Sequence, residues 1–427
     1  MSELKKIAVI GLGYVGLPLA IHLARHYPVT GLDIDTNRVS ELLSGQDRTN
    51  EIDDSVLKSS SLEITDQVTA IENSDIYIVT VPTPVDVNKQ PDLTAVRGAS
   101  RLVGGVLKKG AIVVYESTVY PGVTEDVAGP ELEAASGLIC GADFFLGYSP
   151  ERINPGDKQH TVDKITKVVA GQNDQVTAVL SEVYGRLTSG GIFVARDIRT
   201  AEAAKVIENA QRDINIAFIN EVATIFQKMG LSVYDVLEAA GTKWNFLNFS
   251  PGLVGGHCIG VDPFYLAHSA TANGHHPEII LAGRRINDGM GGYVAECIAR
   301  ELTQLGKGAG AKILVLGLTF KENVPDLRNS RVIDIIQALQ GRGFSVKVHD
   351  AYADRDEAET LFGISLRPSL EDASGYDCLV GAVPHQAYAE FDPESFATLL
   401  TADGLVADVK GMWRSLKLPE NFARWQL

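Results

Sequence analysis

The chain has 427 residues, of which 45% are hydrophobic, and it carries a formal net charge of −16. This length predicts two or three domains with sizeable cores, and the acidic balance disfavours nucleic acid or an anionic membrane as a partner. We find no apolar run long enough to span a bilayer and no cleavable leader. The four cysteines are widely spaced, with no Cys-x-x-Cys pair, which argues against a disulfide framework and against a structural zinc site. We therefore expect a cytoplasmic protein without a metal.

The first predicted element is a buried strand over residues 5–10, followed directly by the glycine run Gly11-Leu-Gly13-Tyr14-Val15-Gly16 and a helical pattern from Leu17 to Arg25. Glycines in this context allow a tight turn and bring a pyrophosphate against a helix N-terminus. The second strand ends at Asp33, where a carboxylate binds both ribose hydroxyls and repels a 2′-phosphate. The pattern predicts a site for NAD rather than NADP, and Arg38 is expected to cover the adenosine side. The alternative is a structural glycine turn without a cofactor.

Three further strand-like runs end in polar residues, at what should be the same edge of the sheet. The run from Ser74 leads to Thr83, a plausible NAD contact, and the run from Ala111 leads to Thr118, which is suited to nicotinamide or a water. A third run, Phe144 to Tyr148, leads to Glu151 and Arg152. We interpret these two as a catalytic acid or base beside a phosphate anchor. Turn capping and a solvated surface pair are the structural alternatives.

A long amphipathic helix is predicted from Thr200, which would cap it, to Met229, with Gly230 ending it. These residues would extend roughly 45 Å at about 1.5 Å per residue. Lys205, Asn209 and Arg212 share one stripe with Asn220. A solvated polar face is the common explanation of such a stripe, but the two asparagines favour a functional one, because asparagine is a poor helix former. Lys205 would stabilise alkoxide charge, and Asn209 would fix a hydroxyl or a water.

Residues 251–263 hold Cys258 among Gly252, Gly255, Gly256 and Gly260, and Asp262 follows four residues on. No side chain of those glycines blocks access to the sulfur. An inert buried thiol is the usual fate of cysteine, and it fits Cys297 and Cys378, but the glycine surroundings favour a covalent nucleophile at Cys258. Helical patterns flank this run, at residues 233–240 and 293–305, and we expect this region to carry a dimer interface.

The last third repeats the first. Residues 312–318 echo residues 6–12, residues 345–350 echo 28–33, and residues 376–384 echo 74–82, which predicts a duplicated α/β fold. After Gly317, however, no second or third glycine follows. Lys321, Arg328 and Arg331 stand there instead, and Lys410 follows the last strand-like run. Because a diphosphate needs a local cluster of cations in an acidic protein, this half is expected to bind a different nucleotide.

These pieces suit one reaction: an alcohol is oxidised with NAD, Cys258 captures the aldehyde as a thiohemiacetal, a second oxidation gives a thioester, and hydrolysis gives the acid. An alcohol dehydrogenase would need no cysteine. An aldehyde dehydrogenase would need no base for a first step.

At this point the sequence resembles the UDP-glucose/GDP-mannose dehydrogenase family over nearly its whole length, especially the branch acting on UDP-N-acetylhexosamines in surface polysaccharide (capsule and O-antigen) synthesis. The motifs that carry the resemblance are Gly11-Leu-Gly-Tyr-Val-Gly-Leu-Pro, Thr80-Val-Pro-Thr-Pro, Glu116-Ser-Thr-Val-Tyr-Pro-Gly, Tyr148-Ser-Pro-Glu-Arg-Ile-Asn-Pro-Gly, Ala201-Glu-Ala-Ala-Lys-Val-Ile-Glu-Asn, Gly255-Gly-His-Cys-Ile and Phe320-Lys-Glu-Asn. The family implies an α/β fold of two Rossmann-like doubly wound domains, joined by a long central helix and a helical dimerisation region. The expected domains are an NAD-binding domain over 1–196, a central domain over 197–308 and a UDP-sugar-binding domain over 309–427.

The resemblance also implies roles for individual residues. Cys258 would be the nucleophile, Lys205 would stabilise anionic intermediates, Asn209 and Asp262 would hold a water, and Glu151 would assist thioester hydrolysis. The residues expected to face the UDP-sugar are Glu151, Arg152, Ile153, Lys205, Asn209, Arg212, Gly252, Phe320, Lys321 and Lys410. Those expected to face NAD are Gly11, Gly13, Tyr14, Val15, Gly16, Asp33, Arg38, Thr83, Thr118 and Arg328.

One departure bears on the substrate. UDP-glucose enzymes have Pro-Lys-Asp two residues after the cysteine, whereas this chain has Gly260-Val-Asp262, which fits the N-acetylhexosamine branch. UDP-GlcNAc is the first choice and UDP-GalNAc the next, with UDP-ManNAc or UDP-glucose as alternatives. The role of His257 stays open. More remote alternatives are a β-hydroxyacid dehydrogenase, an NAD-sensing scaffold and a zinc alcohol dehydrogenase, which lacks a matching ligand spacing.

Overall fold

The computed structural model describes residues 5–152, 159, 161–256 and 258–427. Ile153 and His257 therefore lie outside the described residues. Internal contacts divide the chain into two compact units, Met1–Glu208 with Phe264–His276, and Asn209–Pro263 with Pro277–Leu427. The boundaries at residues 196 and 308 stay a prediction.

The first unit is built on a sheet whose central strands are apolar throughout, as expected for strands covered on both faces. The described strands have the order β3-β2-β1-β4-β5-β6-β7-β8, and all the pairs are parallel except β6 with β7. The strands are β1 (Ile7–Ile10), β2 (Val29–Leu32), β3 (Glu63–Thr65), β4 (Ile76–Val79), β5 (Ile112–Tyr115), β6 (Phe145–Tyr148), β7 (Lys167–Gly171) and β8 (Ile192–Val194). The helices are α1 (Gly16–Ala24), α2 (Thr36–Leu43), α3 (Asp54–Ser59), α4 (Thr94–Gly104), α5 (Gly129–Ser136) and α6 (Asp174–Leu187). The first six strands follow the Rossmann order, which reverses direction between β1 and β4.

The helix α7 (Ile198–Met229) contributes residues to both units. It ends at Gly230, in a left-handed conformation with φ of 70°, as predicted. Its start was predicted wrongly, because the helix begins two residues before Thr200. The Asp197 carboxylate caps it by accepting a hydrogen bond from the Thr200 backbone N–H at 2.7 Å.

The second unit is built on a smaller sheet of parallel strands in the order β10-β9-β11-β12-β13. Its strands are β9 (Lys312–Leu316), β10 (Ser345–His349), β11 (Tyr376–Gly381), β12 (Leu400–Asp408) and β13 (Ala423–Gln426). The remaining helices are α8 (Val233–Gly241), α9 (Asp262–Ala272), which contributes to both units, α10 (Glu278–Gln304), α11 (Val332–Gly341), α12 (Arg355–Phe362), α13 (Gln386–Ala389) and α14 (Pro393–Leu399). The helix α10 begins fifteen residues before the predicted Tyr293, because its glycines obscure the helical pattern. One of them, Gly291, leaves room for α11, since a Cβ there would lie 2.5 Å from the Asp334 Cβ.

The two sheets repeat one local structure, as the sequence predicted. Gly11 follows β1 with φ of 94° and Gly317 follows β9 with φ of 95°. In the first unit the Asp33 carboxylate accepts the Leu12 N–H, and in the second the Asp350 carboxylate accepts the Leu318 N–H. The prediction of two Rossmann-like domains with a long central helix is confirmed. No helix in the described part of the chain has an apolar stretch long enough to cross a membrane.

Candidate active site

The glycine loop after β1 contains glycines with two different roles. A Cβ on Gly16 would lie 1.8 Å from the Gly11 carbonyl oxygen and 2.4 Å from the Thr80 hydroxyl, so the protein itself requires this glycine. A Cβ on Gly13 would meet no atom of the described residues within 4 Å, and Gly13 is exposed. The space above Gly13 lies at the N-terminus of α1, where the backbone favours an anion. The loop therefore fits a dinucleotide pyrophosphate.

The end of β2 supplies the predicted ribose ligand. The Asp33 carboxylate is half-buried and accepts hydrogen bonds from the Leu12 N–H at 2.7 Å and the Asp35 N–H at 2.9 Å. These bonds fix its position beside the glycine loop and leave further acceptor capacity for hydroxyl groups. The electrostatics suit NAD, because a carboxylate there repels a 2′-phosphate.

The side chain of Arg38 lies beneath this loop. It is 2% exposed, pairs with Asp47 at 2.7 Å and Glu41 at 2.8 Å, and donates from Nε to the Leu12 carbonyl at 3.0 Å. These bonds give Arg38 a structural role, which was not predicted from the sequence: it links the glycine loop to Glu41 and Asp47. Its contact with adenosine stays a prediction.

The other predicted cofactor residues of the first unit lie in or beside segments that follow parallel strands. Tyr14, within the glycine run, is half-buried, and so are Thr83 beyond β4 and Thr118 beyond β5. Val15 is buried within the glycine run. Because β1, β4 and β5 are adjacent and parallel, their carboxyl ends lie at one edge of the sheet. Arg328 belongs to the second unit, where its guanidinium pairs with Asp326 at 2.6 Å.

A buried charge network lies under Glu151. The Lys167 ammonium and the Tyr184 hydroxyl both bind the Glu116 carboxylate, at 2.8 and 2.6 Å. Burial alone would lower the pKa of Lys167, but the charges of Glu116 and Glu151 outweigh it and raise that pKa. Glu151 is 6% exposed, and its N–H contacts the Glu116 carbonyl at 3.4 Å. This network was not predicted from the sequence, although a lysine and a glutamate beside apolar strand residues are a visible signal of buried pairing.

Arg152 is engaged within its own unit. Its guanidinium pairs with Glu208 at 2.8 Å and donates to the Thr166 carbonyl at 3.2 Å. Its contact with a UDP-sugar stays a prediction.

Lys205 of α7 is a buried cation. It is 7% exposed, and no described residue forms an ion pair with it. One turn earlier, the fully buried Glu202 carboxylate accepts the Gly122 N–H at 2.6 Å and the Thr124 N–H at 2.9 Å. These bonds attach the first turns of α7 to the segment that follows Thr118. The low dielectric of a buried site strengthens the field of a charged group. The role of Lys205 in stabilising alkoxide charge stays a prediction.

The Cys258 turn belongs to the second unit. Cys258 is half-buried and in no disulfide, and its carbonyl accepts the N–H groups of Val261 at 3.0 Å and Asp262 at 2.8 Å. Asp262 is 2% exposed, and its carboxylate accepts the Asn209 amide at 2.5 Å. The structure thus brings together the predicted pair of Asn209 and Asp262. Cys258 lies four residues before α9, which begins at Asp262.

Two of the predicted substrate residues, Phe320 and Lys410, lie against glycines of the turn. Gly252 is buried with φ of 143°, and a Cβ there would lie 2.7 Å from the Lys410 Nζ. A Cβ on Gly256 would lie 2.9 Å from the Phe320 ring, which precedes the half-buried Lys321. Burial lowers the pKa of Lys410, and Glu322 partly offsets that effect. Arg212 lies on α7 with its side chain exposed.

The loop after β9 is fixed differently from the glycine loop of the first unit. Its Asp350 carboxylate accepts the N–H groups of Leu318, Thr319, Tyr352 and Ala353, and it also binds the His385 ring at 3.1 Å. The other His385 ring nitrogen accepts the Asn323 N–H at 2.9 Å, so the nitrogen facing Asp350 carries the proton. Because these bonds occupy Asp350, it has little capacity left for a ribose. The second sheet is therefore not a second NAD site of the same design.

Within the described ranges, no group of three or more His, Cys, Asp or Glu side chains is arranged to hold a metal ion. A glycine loop suited to a dinucleotide and a separate loop rich in cations define an NAD-dependent dehydrogenase of a nucleotide-linked substrate. The chain belongs to the UDP-glucose/GDP-mannose dehydrogenase family. Models of that family match its NAD binding domain at residues 5–188, its central domain at 199–289 and its UDP binding domain at 314–415. The protein is accordingly an oxidoreductase.

Named relatives match over nearly the whole chain. The chain is 50% identical to Protein CapL of Staphylococcus aureus, covering 99% of this chain and 100% of that protein. It is 49% identical to a UDP-N-acetyl-D-glucosamine 6-dehydrogenase of Pseudomonas aeruginosa, covering 96% and 97%. The solved UDP-D-ManNAc dehydrogenase of Pyrococcus horikoshii is 31% identical, with a TM-score of 0.89 and coverage of 99% and 98%.

Proposed function

We propose that this protein oxidises C6 of a UDP-N-acetylhexosamine to the uronic acid, in a four-electron reaction that uses two NAD molecules and a covalent intermediate on Cys258. The observation that carries the proposal is the Cys258 turn, in which a half-buried thiol stands among glycines beside the Asn209 and Asp262 pair. The names of the relatives that match over nearly the whole chain support the substrate class.

NAD, when bound, supplies the hydride acceptor for both oxidations. In the first, the C6 hydroxyl loses its proton as its carbon loses hydride, and alkoxide charge develops on oxygen. Lys205 is the residue proposed to stabilise that charge, because its ammonium is buried and no described residue pairs with it.

In the second stage Cys258 retains the aldehyde. Its thiolate adds to the C6 carbonyl carbon, and the oxygen takes up a proton to give a thiohemiacetal. Oxidation of that adduct gives a thioester. The oxidation state of sulfur does not change, so the thiol is regenerated by hydrolysis.

Hydrolysis needs an ordered water and a base. The Asp262 carboxylate holds the Asn209 amide nitrogen, which directs the Asn209 amide oxygen to another donor such as a water. Glu151 is the proposed base, since it is a nearly buried carboxylate at the end of β6.

The proposed UDP site lies in the second unit, at Gly252, Phe320, Lys321 and Lys410. UDP-GlcNAc is the favoured substrate, in line with the relatives of Pseudomonas aeruginosa and Salmonella typhi, which carry that name. UDP-GalNAc is next. UDP-ManNAc is an alternative, which the name of the Pyrococcus horikoshii structure favours. A place in surface polysaccharide synthesis, which the family resemblance implies, is part of the proposal. The cytoplasmic location stays a prediction.

A homodimer is part of the proposal. Along α7 in the second unit, Phe218, Ile225 and Met229 are 60%, 48% and 62% exposed and share one stripe, and Trp244 and Ile279 are also exposed. Large apolar side chains exposed in this way usually mark a protein interface. The helical region is where the family resemblance implies dimerisation. Sedimentation of the wild type and of Phe218→Glu tests it, with a monomeric wild type as the contrary result.

The reaction is tested by its stoichiometry. We expect two NADH and one acid per UDP-GlcNAc consumed, measured across a panel of UDP-hexoses and UDP-N-acetylhexosamines. Cys258→Ser should stop acid formation and allow at most a partial turnover to the aldehyde. One NADH per substrate in the wild type, or full acid production by Cys258→Ser, would reject the covalent mechanism.

A further inference from the structure

The turn that carries Cys258 is held at its start by an asparagine of the central helix. Asn220 of α7 is fully buried, its amide nitrogen donates to the Gly252 carbonyl at 2.9 Å, and its amide oxygen accepts the Gly252 N–H at 2.8 Å. Gly252 has φ of 143°, in a region that only glycine adopts readily. A single side chain therefore fixes both backbone polar groups of the residue where the turn bends.

The orientation of the Asn220 amide is itself determined. The Asp213 carboxylate can only accept, so Asn287 must present its amide nitrogen there, which it does at 2.7 Å. This leaves the Asn287 amide oxygen facing Asn220, and the Asn220 amide nitrogen donates to it at 2.8 Å. Asp213 is held in turn by Arg284 at 2.7 Å. A chain of buried bonds thus excludes the flipped amide at Asn220.

A second asparagine holds the other side of the turn. The side-chain nitrogen of Asn329 donates to the Gly256 carbonyl at 2.9 Å, and its backbone carbonyl accepts the Gly256 N–H at 3.3 Å. Asn329 has φ of 51°, a left-handed conformation that asparagine tolerates better than most residues. A Cβ on Gly255 or Gly260 would lie 2.7 or 2.8 Å from Asn329 atoms. Asn329 therefore packs against glycines on both sides of Cys258.

We propose that Asn220 and Asn329 are positioning residues, which hold the turn 252–260 so that the Cys258 sulfur meets the aldehyde carbon. The inference rests on the proposed function, because it takes Cys258 as the group that captures the aldehyde. Four glycines give this turn a large conformational entropy, which is lost when the turn is fixed in one conformation. The hydrogen bonds of the two asparagines fix that conformation before the substrate reacts. Neither residue touches the reacting atoms in this scheme.

The two oxidations should respond differently to changes in this turn. The first oxidation needs no bond to sulfur, whereas capture forms the S–C6 bond, moves the carbonyl electron pair to oxygen and transfers the thiol proton there. Weakening the turn should therefore slow the second oxidation and leave the first. An aldehyde that is not captured escapes and can be trapped with hydroxylamine.

The main test is Asn329→Asp, which keeps the size of the side chain and its tolerance of the left-handed conformation. The amide donor is replaced by a carboxylate oxygen that faces the Gly256 carbonyl. We expect the second oxidation to slow on the order of ten-fold, as for the loss of one hydrogen bond. With hydroxylamine present, the NADH yield should fall from two towards one per substrate, while affinity for UDP is kept.

Two further variants separate positioning from folding. Asn329→Gly can adopt the same left-handed backbone conformation and loses the side-chain bond and its packing without introducing a charge, so it should shift the NADH yield in the same direction by less. Asn215→Asp is the control, because Asn215 lies on the same helix as Asn220 and, among the described residues, its amide binds only the Gln211 carbonyl in its own turn. It should keep a yield of two.

Asn220→Ser should also lower the NADH yield per substrate, when it is compared with the wild type at substrate concentrations that give the same saturation. If the Asn329 variants give two NADH at the wild-type rate with the trap present, the inference is wrong. The same holds if both oxidations fall together at a constant yield of two, which is the result of a purely structural role. If Cys258→Ser itself gives acid and two NADH, the proposed function fails and the inference falls with it. Failure of the inference alone leaves Cys258→Ser inactive in the second step.

Discussion

The stability of the contact between Glu202 and the segment after β5 should depend on pH. Glu202 is fully buried at the start of α7, and burial raises its pKa from 4.5 to about 7 against the opposing hydrogen bonds of Thr124 and Gly122. Since each pH unit between the two values is worth ~1.4 kcal/mol, an ionised Glu202 costs the folded state about 3 kcal/mol above pH 7.

The sign follows from where the proton sits. The folded pKa lies above the unfolded one, so between them the folded state keeps a proton that the unfolded state has lost. Stability from this residue therefore falls as pH rises through that window. Glu202→Gln has no such titration, so its stability relative to the wild type should rise by about 2 kcal/mol between pH 5.5 and pH 8.

Hydrogen exchange of the Gly122 and Thr124 amides measures the local opening that exposes Glu202, after correction for the intrinsic rate at each pH. The glutamine variant also loses a hydrogen-bond acceptor, but that effect is constant with pH and cancels in the slope. Glu125→Gln is the matched control, because Glu125 lies in the same segment and pairs with Arg199 near the surface at 3.1 Å. If the stability of Glu202→Gln relative to the wild type stays flat or declines as pH rises, the pKa of Glu202 is not raised in the folded protein.

Three further predictions concern the ligand sites. Gly13→Ala should fold normally, because its methyl group meets no described atom within 4 Å, and its affinity for NAD should fall by at least about ten-fold. Gly16→Ala should instead lose about 3 kcal/mol of stability or more, because its methyl group would clash with the Gly11 carbonyl. Thermal unfolding and NAD titration distinguish the two variants, and wild-type NAD affinity in Gly13→Ala would contradict the cofactor assignment. Asp33→Ala should weaken NAD about ten-fold or more through lost charge-assisted hydrogen bonds and leave UDP unchanged in calorimetry; loss of both affinities would indicate a folding defect instead. Gly252→Ala should displace the Lys410 ammonium and weaken UDP on the order of ten-fold, and unchanged UDP binding would remove Lys410 from the site.

Local patterns were enough to predict much of this protein. The strand, glycine and helix succession around Gly11 to Gly16, the acid at Asp33 and the echo of both in the last third were sufficient to predict two Rossmann-like sheets, because backbone sterics and burial act over a few residues. The same holds for α7, whose pattern continues to a left-handed Gly230.

The pairing of polar groups across distant segments could not be predicted from the sequence, because it depends on how the chain packs. Asn220 meets Gly252 and Asn287, Lys167 meets Glu116, and His385 fixes the loop at Asn323. No periodicity reveals such bonds, since each joins residues tens of positions apart that only chain folding brings within reach. Buried polar groups must find partners, and the choice among the available partners depends on the geometry of the packed chain.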